Sequence, residues 1–233
     1  VATIRETLPD YKVAFKDADN VVRDAIFERK TQMTAHLRLL EAALGSKYFH
    51  HEKGSGKIID KNTIEITKEN GAKKVITTEN ILIATGSRPR YLPHIPIDEK
   101  AIITSDGVRS LNQFPKSMVI LGAGVIGCEF ATIFSNFGQT QVNIIDKADR
   151  ILPMEDEDVS KTVTENLERN GVVVHHNSQL ERMEIKNGQV EYELLYKDGH
   201  REVITVEKAL IAVGRIPNLE NIGLENAGVK VTE

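Results

Sequence analysis

Leu121-Gly122-Ala123-Gly124-Val125-Ile126-Gly127 decides the fold. A short apolar strand, Met118–Leu121, runs into this G-x-G-x-x-G turn, which opens a helix over Val125–Phe137 closed by Gly138. A second strand, Val142–Asp146, ends on a carboxylate 24 residues after Gly122. Strand, glycine turn, helix and strand-end acid in that order make a βαβ unit with a dinucleotide site. Gly122 makes the turn, Gly124 lets the backbone approach a pyrophosphate, and Gly127 lets the helix pack close. The stretch from Ala123 to Ile126 leads into a helix N-terminus, whose free N–H groups and positive dipole end favour phosphate. Asp146 is expected to accept a ribose 2′-hydroxyl and repel a 2′-phosphate, which selects NAD over NADP. Lys147 and Arg150 lie nearby, and Arg150 reads as a solvated charge.

The chain on either side keeps a recognisable period. Downstream come a helix over about Asp156–Asn170 stopping at Gly171, and a strand Val172–His175. Alternating strands Val190–Tyr196 and Val203–Val206 follow, punctuated by the turns Asn187-Gly188 and Asp198-Gly199, and then a last strand, Leu210–Val213. Upstream, residues 1–19 read as loop or frayed helix and Asn20–Leu44 as a helix. Gly54–Thr78 is hairpin-rich, turning at Asn70-Gly71, and leads into an apolar strand, Ile81–Ala84. The two strand ends repeat one another: Ile81-Leu82-Ile83-Ala84-Thr85-Gly86-Ser87-Arg88-Pro89 against Ala209-Leu210-Ile211-Ala212-Val213-Gly214-Arg215-Ile216-Pro217. Each follows a meander. Gly214 lies 214 − 122 = 92 residues after Gly122, and 92 residues before Gly86 falls ahead of residue 1. The repeat therefore leads us to expect a truncated N-terminus.

Composition narrows the function classes. The chain has 233 residues and a net charge of −4, with no long basic run, so there is no electrostatic footprint for nucleic acid. Apolar runs are far too short for a membrane span, and 40 % hydrophobic content argues against disorder. A soluble, cytoplasmic protein is expected. Cys128 is the sole cysteine, so no internal redox disulfide can form. It reads as a packing residue, though a helix N-terminus lowers thiol pKa values. Glu155-Asp156-Glu157-Asp158 reads as an acidic first helical turn. His50-His51 and His175-His176 are neighbours pointing to opposite faces, so no metal site is expected. Glu129, placed in the first turn of the binding helix, reads as a carboxylate favoured by the dipole.

Four stretches in order carry a family resemblance: Ala84-Thr85-Gly86-Ser87-Arg88-Pro89, Gly122–Glu129, Asp149-Arg150-Ile151-Leu152-Pro153, and Ala212-Val213-Gly214-Arg215-Ile216-Pro217-Asn218. Together they resemble the pyridine nucleotide-disulfide oxidoreductases, most nearly the dihydrolipoamide dehydrogenase branch and next the soluble pyridine nucleotide transhydrogenases. The resemblance implies an α/β fold, a Rossmann-like NAD-binding domain inserted in a partial FAD-binding domain with β-meanders. It divides the chain into 1–103 (partial FAD domain), 104–217 (NAD domain) and 218–233 (return to the FAD domain). It implies NAD contacts at Gly122, Ala123, Gly124, Val125, Ile126, Gly127, Glu129, Asp146, Leu180 and Gly214. FAD contacts are implied at Gly54, Thr85, Gly86 and Ser87. Glu129 matches a flavin-proximal glutamate, which moves its reading from structural to catalytic.

The same resemblance implies a homodimeric parent that passes hydride between nicotinamide and flavin, with dihydrolipoamide or a lipoyl domain as partner. The family's redox cysteine pair and its first flavin-binding glycine motif are missing from these 233 residues. The chain alone is therefore expected to bind NAD weakly, to lose FAD and to be inactive. A transhydrogenase, or a non-catalytic NAD(H)-binding module, is the alternative.

Overall fold

The structure, a computed structural model, describes residues 14–45 and 48–232. The chain forms two compact units. One is Pro89–Ile216 with the described residues up to Val22; the other is Arg23–Arg88 with Pro217 onward.

The first unit is built on a five-stranded parallel sheet in the order β5-β12-β6-β7-β8. Its strands are β5 (Ile102–Thr104), β6 (Ser117–Leu121), β7 (Gln141–Ile145), β8 (Val173–His175) and β12 (Lys208–Ile211). Their near-continuous apolar sequence suits a sheet covered on both faces. One face packs helices α2 (Val125–Phe137) and α3 (Glu157–Arg169) over Met118, Ile120, Val142, Ile144 and Leu210. The opposite face, with Val119, Ile145, Ala209 and Ile211, packs against an antiparallel meander through Tyr192, Val190 and Leu194. That meander is β9 (Ser178–Lys186), β10 (Gln189–Tyr196) and β11 (Arg201–Val206). Helix α2 stops where Gly138 turns left-handed at φ +71°.

The second unit holds another meander, β1 (Ser55–Asp60), β2 (Thr63–Thr67) and β3 (Lys73–Thr77), with Ile58 and Ile66 buried. Its Asn70-Gly71 turn forms as expected, Asn70 Oδ1 accepting the Ala72 N–H at 3.0 Å. The short strands β4 (Ser87–Pro89) and β13 (Arg215–Pro217) carry the chain across the unit boundaries.

Several expectations change. Helix α1 runs Phe15–Leu44, five residues longer at its start, and buries none of its residues. Residues 1–13, part of the expected N-terminal loop or frayed helix, lie outside the described residues. Strands β5 and β9 were not expected. β5 is only three residues long, too short to show a period, and the polar residues of β9 mask its alternation. Ile81–Ala84 is not a strand: its backbone is irregular and pairs with no strand among the described residues. An apolar run forms a buried strand only when neighbours take up its N–H and C=O groups.

Candidate nucleotide-binding cleft

The carboxyl ends of β12, β6 and β7 open into a cleft of about 1010 Å³ in the first unit. Its floor is the glycine turn. Gly122 has φ +102°, and a Cβ there would lie 2.5 Å from the Ala212 carbonyl oxygen. A Cβ on Gly127 would lie 1.9 Å from the Gly122 oxygen, so glycine 127 lets the helix seat on the turn itself as well as on β6. Gly124 is the N-cap of α2, and a Cβ there would meet open space on the cleft side. The Cys128 N–H makes a helical bond back to Gly124 O. The N–H groups of Val125, Ile126 and Gly127 therefore precede the ladder and have no helical acceptor. Gly122, Gly124, Val125 and Ile126 line the cleft, while Ala123 and Gly127 are buried beneath it.

Asp146 stands beside the turn and holds it. Its Oδ2 accepts the Ala123 N–H at 2.7 Å, and its Oδ1 accepts the Ala148 N–H at 2.9 Å. Each carboxylate oxygen has two lone pairs, so acceptor capacity toward the cleft is left over. From the other side Leu152, at φ +47°, donates its N–H to Ala123 O at 2.7 Å. Such a left-handed leucine persists only where its surroundings over-determine it. Ser160, buried on α3, donates to Ile151 O at 2.6 Å and fixes the same loop. Arg150 is not the free solvated charge expected from sequence. It is half-buried and donates to Pro153 O at 3.2 Å, while its Nη1 is buried without a partner among the described residues.

Leu180 and Gly214 also line the cleft, from β9 and from the turn after β12, whereas Glu129 does not. Glu129 is corrected: α2 begins at Val125, so the residue is in the second turn, exposed, and the first turn holds no acid. Burial pushes the Cys128 thiol up to about 11, consistent with a packing residue. Sequence reasoning missed Arg90, Leu92, His94, Met154 and Gln179, which line the cleft from loops or a strand end and carry no periodic signal.

At the end of β8, His175 is buried and bridges Asn143 Oδ1 at 3.0 Å and the Tyr196 hydroxyl at 2.7 Å. Desolvation lowers its pKa. Burial, then the bond to Glu202, pushes Tyr196 up to about 12.

The residues read as flavin contacts lie in the other unit. Thr85 and Gly86 are bound to Asn218: Thr85 Oγ1 donates to Asn218 O at 2.6 Å and Asn218 N donates to Gly86 O at 2.9 Å. Thr85, Gly86 and Ser87 are exposed. Gly54 is explained locally, since a Cβ there would lie 2.6 Å from Thr67 O. Among the described residues no cluster of His, Cys, Asp and Glu could hold a metal ion, and no helix is long and apolar enough to cross a membrane.

Fold and cleft together have the form of a dinucleotide-binding α/β unit, with a glycine turn at the carboxyl end of a central parallel strand. The family model for pyridine nucleotide-disulphide oxidoreductase matches residues 6–233, and the chain belongs to that family. It is 42 % identical over 178 residues to dihydrolipoyl dehydrogenase of Bacillus subtilis, covering 76 % of this chain and 38 % of that protein. With soluble pyridine nucleotide transhydrogenase of Pseudomonas aeruginosa it shares 36 % over 179 residues, covering 76 % of this chain and 37 % of the relative. The chain thus spans under two-fifths of the length of these relatives. Among solved structures, the HOCl-induced flavoprotein disulfide reductase RclA from Escherichia coli matches at TM-score 0.65 and 32 % identity, over 77 % of this chain and 40 % of that one. LpdA from Mycobacterium tuberculosis superposes with TM-score 0.83 over 100 % of this chain and 50 % of its own, at 23 % identity, a likeness of fold.

Proposed function

We propose that the chain is the nicotinamide-binding portion of an FAD-dependent oxidoreductase, with NAD(H) in the cleft and dihydrolipoamide or a lipoyl domain as the parent's substrate. The glycine cradle carries this reading: substituents at Gly122 or Gly127 collide with backbone, while Gly124 is open on the ligand side. The pyrophosphate belongs over Gly124–Ile126 at the α2 N-terminus, with Asp146 and Leu180 at the adenosine end and Gly214 on the opposite wall. Asp146, kept in place by two backbone N–H donors, supplies the ribose acceptor and repels a 2′-phosphate.

The nicotinamide supplies a transferable hydride, and this chain's residues bind and orient it. Residues 104–217 form the NAD part of this assignment. Residues 1–103 and 218–233 are assigned to FAD through Gly54, Thr85, Gly86 and Ser87, with Glu129 facing the flavin. A homodimeric parent in the cytoplasm completes the reading. The relative of higher identity favours the dehydrogenase over the transhydrogenase.

The direct test is titration of the purified chain with NADH, read by nicotinamide fluorescence, beside a visible absorption spectrum. Saturable binding, tighter for NADH than for NADPH, is expected, and exchanging Asp146→Asn should narrow that preference. Absence of saturable NADH binding refutes the assignment of the cleft. A flavin band in the spectrum extends the reading to the FAD unit.

A further inference from the structure

The internal repeat supplies a control for a residue that sequence analysis passed over. Each copy ends in a left-handed glycine, Gly86 at φ +74° and Gly214 at φ +104°. Each glycine carbonyl accepts one backbone N–H: Gly86 from Asn218, and Gly214 from Arg90 at 3.0 Å. Asn218 and Arg90 hold the same place in the repeat, one residue after Pro217 and Pro89. The side chains follow suit. A Cβ on Gly86 would lie 3.8 Å from Asn218 Nδ2, and a Cβ on Gly214 would lie 3.8 Å from Arg90 Nε.

What the two side chains do then differs. The Asn218 amide is used internally, donating to Thr85 O at 3.1 Å. Among the described residues no hydrogen bond or ion pair engages the Arg90 guanidinium, and it lines the cleft. The other charged groups on the cleft wall are Asp146, Lys147 and Glu155, and His94 is its one imidazole. Lys147 adjoins Asp146 at the end of β7. Arg90 stands against Gly214 at the end of β12, which lies across β6 from β7 in the sheet. The two cations therefore flank the glycine turn from opposite sides.

We infer that Arg90 is a cofactor-positioning residue, closing its guanidinium on the pyrophosphate from the side opposite Asp146. The inference rests on the nucleotide reading of the cleft. A guanidinium presents several N–H donors in a planar fork, and charge-assisted bonds to phosphate oxygens are the strong ones. The α2 N-terminus offers only neutral donors and a partial charge to a dianionic group. A full charge on the second wall supplies the rest.

The test is a set of titrations of the whole chain and its Arg90→Ala and Arg90→Lys variants with NADH, NADPH and ADP-ribose at two salt concentrations. Arg90→Ala should raise the Kd for NADH and ADP-ribose about tenfold, the effect of one charge-assisted hydrogen bond, and should flatten the salt dependence. Arg90→Lys should recover part of the loss. The NADH-to-NADPH affinity ratio should stay as in the parent chain, because the 2′ position belongs to the Asp146 side. Kd values for ADP-ribose within about twofold of the parent overturn the inference while leaving the cleft assignment standing. A changed NADH-to-NADPH ratio places Arg90 at the 2′ end and also overturns it. A parent chain that binds neither NADH nor ADP-ribose overturns both readings.

Discussion

Leu82 and Leu210 occupy the same position in the two copies of one sequence pattern, and they end in opposite environments. Leu210 is fully buried between β5 and β6, while Leu82 is 92 % exposed. Around Leu210 the pattern is a central parallel strand, clamped by helices on one face and a meander on the other. Around Leu82 it is an unpaired stretch in which Ile81 and Ile83 are only half-buried. The glycine turns that follow behave alike, each left-handed and each accepting the N–H of the residue after the proline. Turn geometry is local and survives in both copies. Strand formation needs partners and survives in one.

The heaviest blow to the complete copy falls on its turn. Gly127→Ala places a methyl group 1.9 Å from the Gly122 oxygen, and backbone cannot step aside cheaply. We expect NADH binding to drop at least about a hundredfold, with a lowered Tm, measured by fluorescence titration and thermal melting. Undiminished binding would mean that the turn does not shape the cleft.

Next comes the pair that defines the contrast. Leu210→Ala should cost about 2–5 kcal/mol in urea denaturation, and Leu82→Ala less than about 0.5 kcal/mol. Equal costs would mean that Leu82 is covered in solution and that the difference between the copies is false.

Tyr192 tests the packing under the complete copy. Its side chain is fully buried beneath the parallel sheet, its hydroxyl lacks a partner among the described residues, and desolvation raises its pKa. Tyr192→Phe removes an unsatisfied polar atom, so stability should stay level or rise by about 1 kcal/mol. A clear loss would reveal a hidden partner for the hydroxyl.

The smallest effect is the acid response of the β8 edge. His175 has its pKa lowered from 6.5 by burial, so between the folded and unfolded values the unfolded chain binds more protons. Stability therefore holds above about pH 6.5 and falls as acid protonates the unfolded imidazole. A His175→Asn variant should lack this limb in urea midpoints compared between pH 7.5 and 5.5, a window set around that ordinary value. An identical acid response in the variant would assign it elsewhere.

These contrasts separate two kinds of information. The βαβ unit around Gly122, its helix ends at Val125 and Gly138, and the acid at Asp146 were legible because each depends on a few adjacent residues. A left-handed glycine, an apolar run or a helix start is written locally. The sequence likewise carried the repeat, the hairpin turns and the family. Tertiary structure alone decided that Ile81–Ala84 would stay unpaired and that the three-residue β5 would join the sheet. It alone brought Arg90 against Gly214 and buried His175 between Asn143 and Tyr196. Those outcomes depend on neighbours distant in the chain, whose hydrogen bonds and burial no short stretch of sequence specifies.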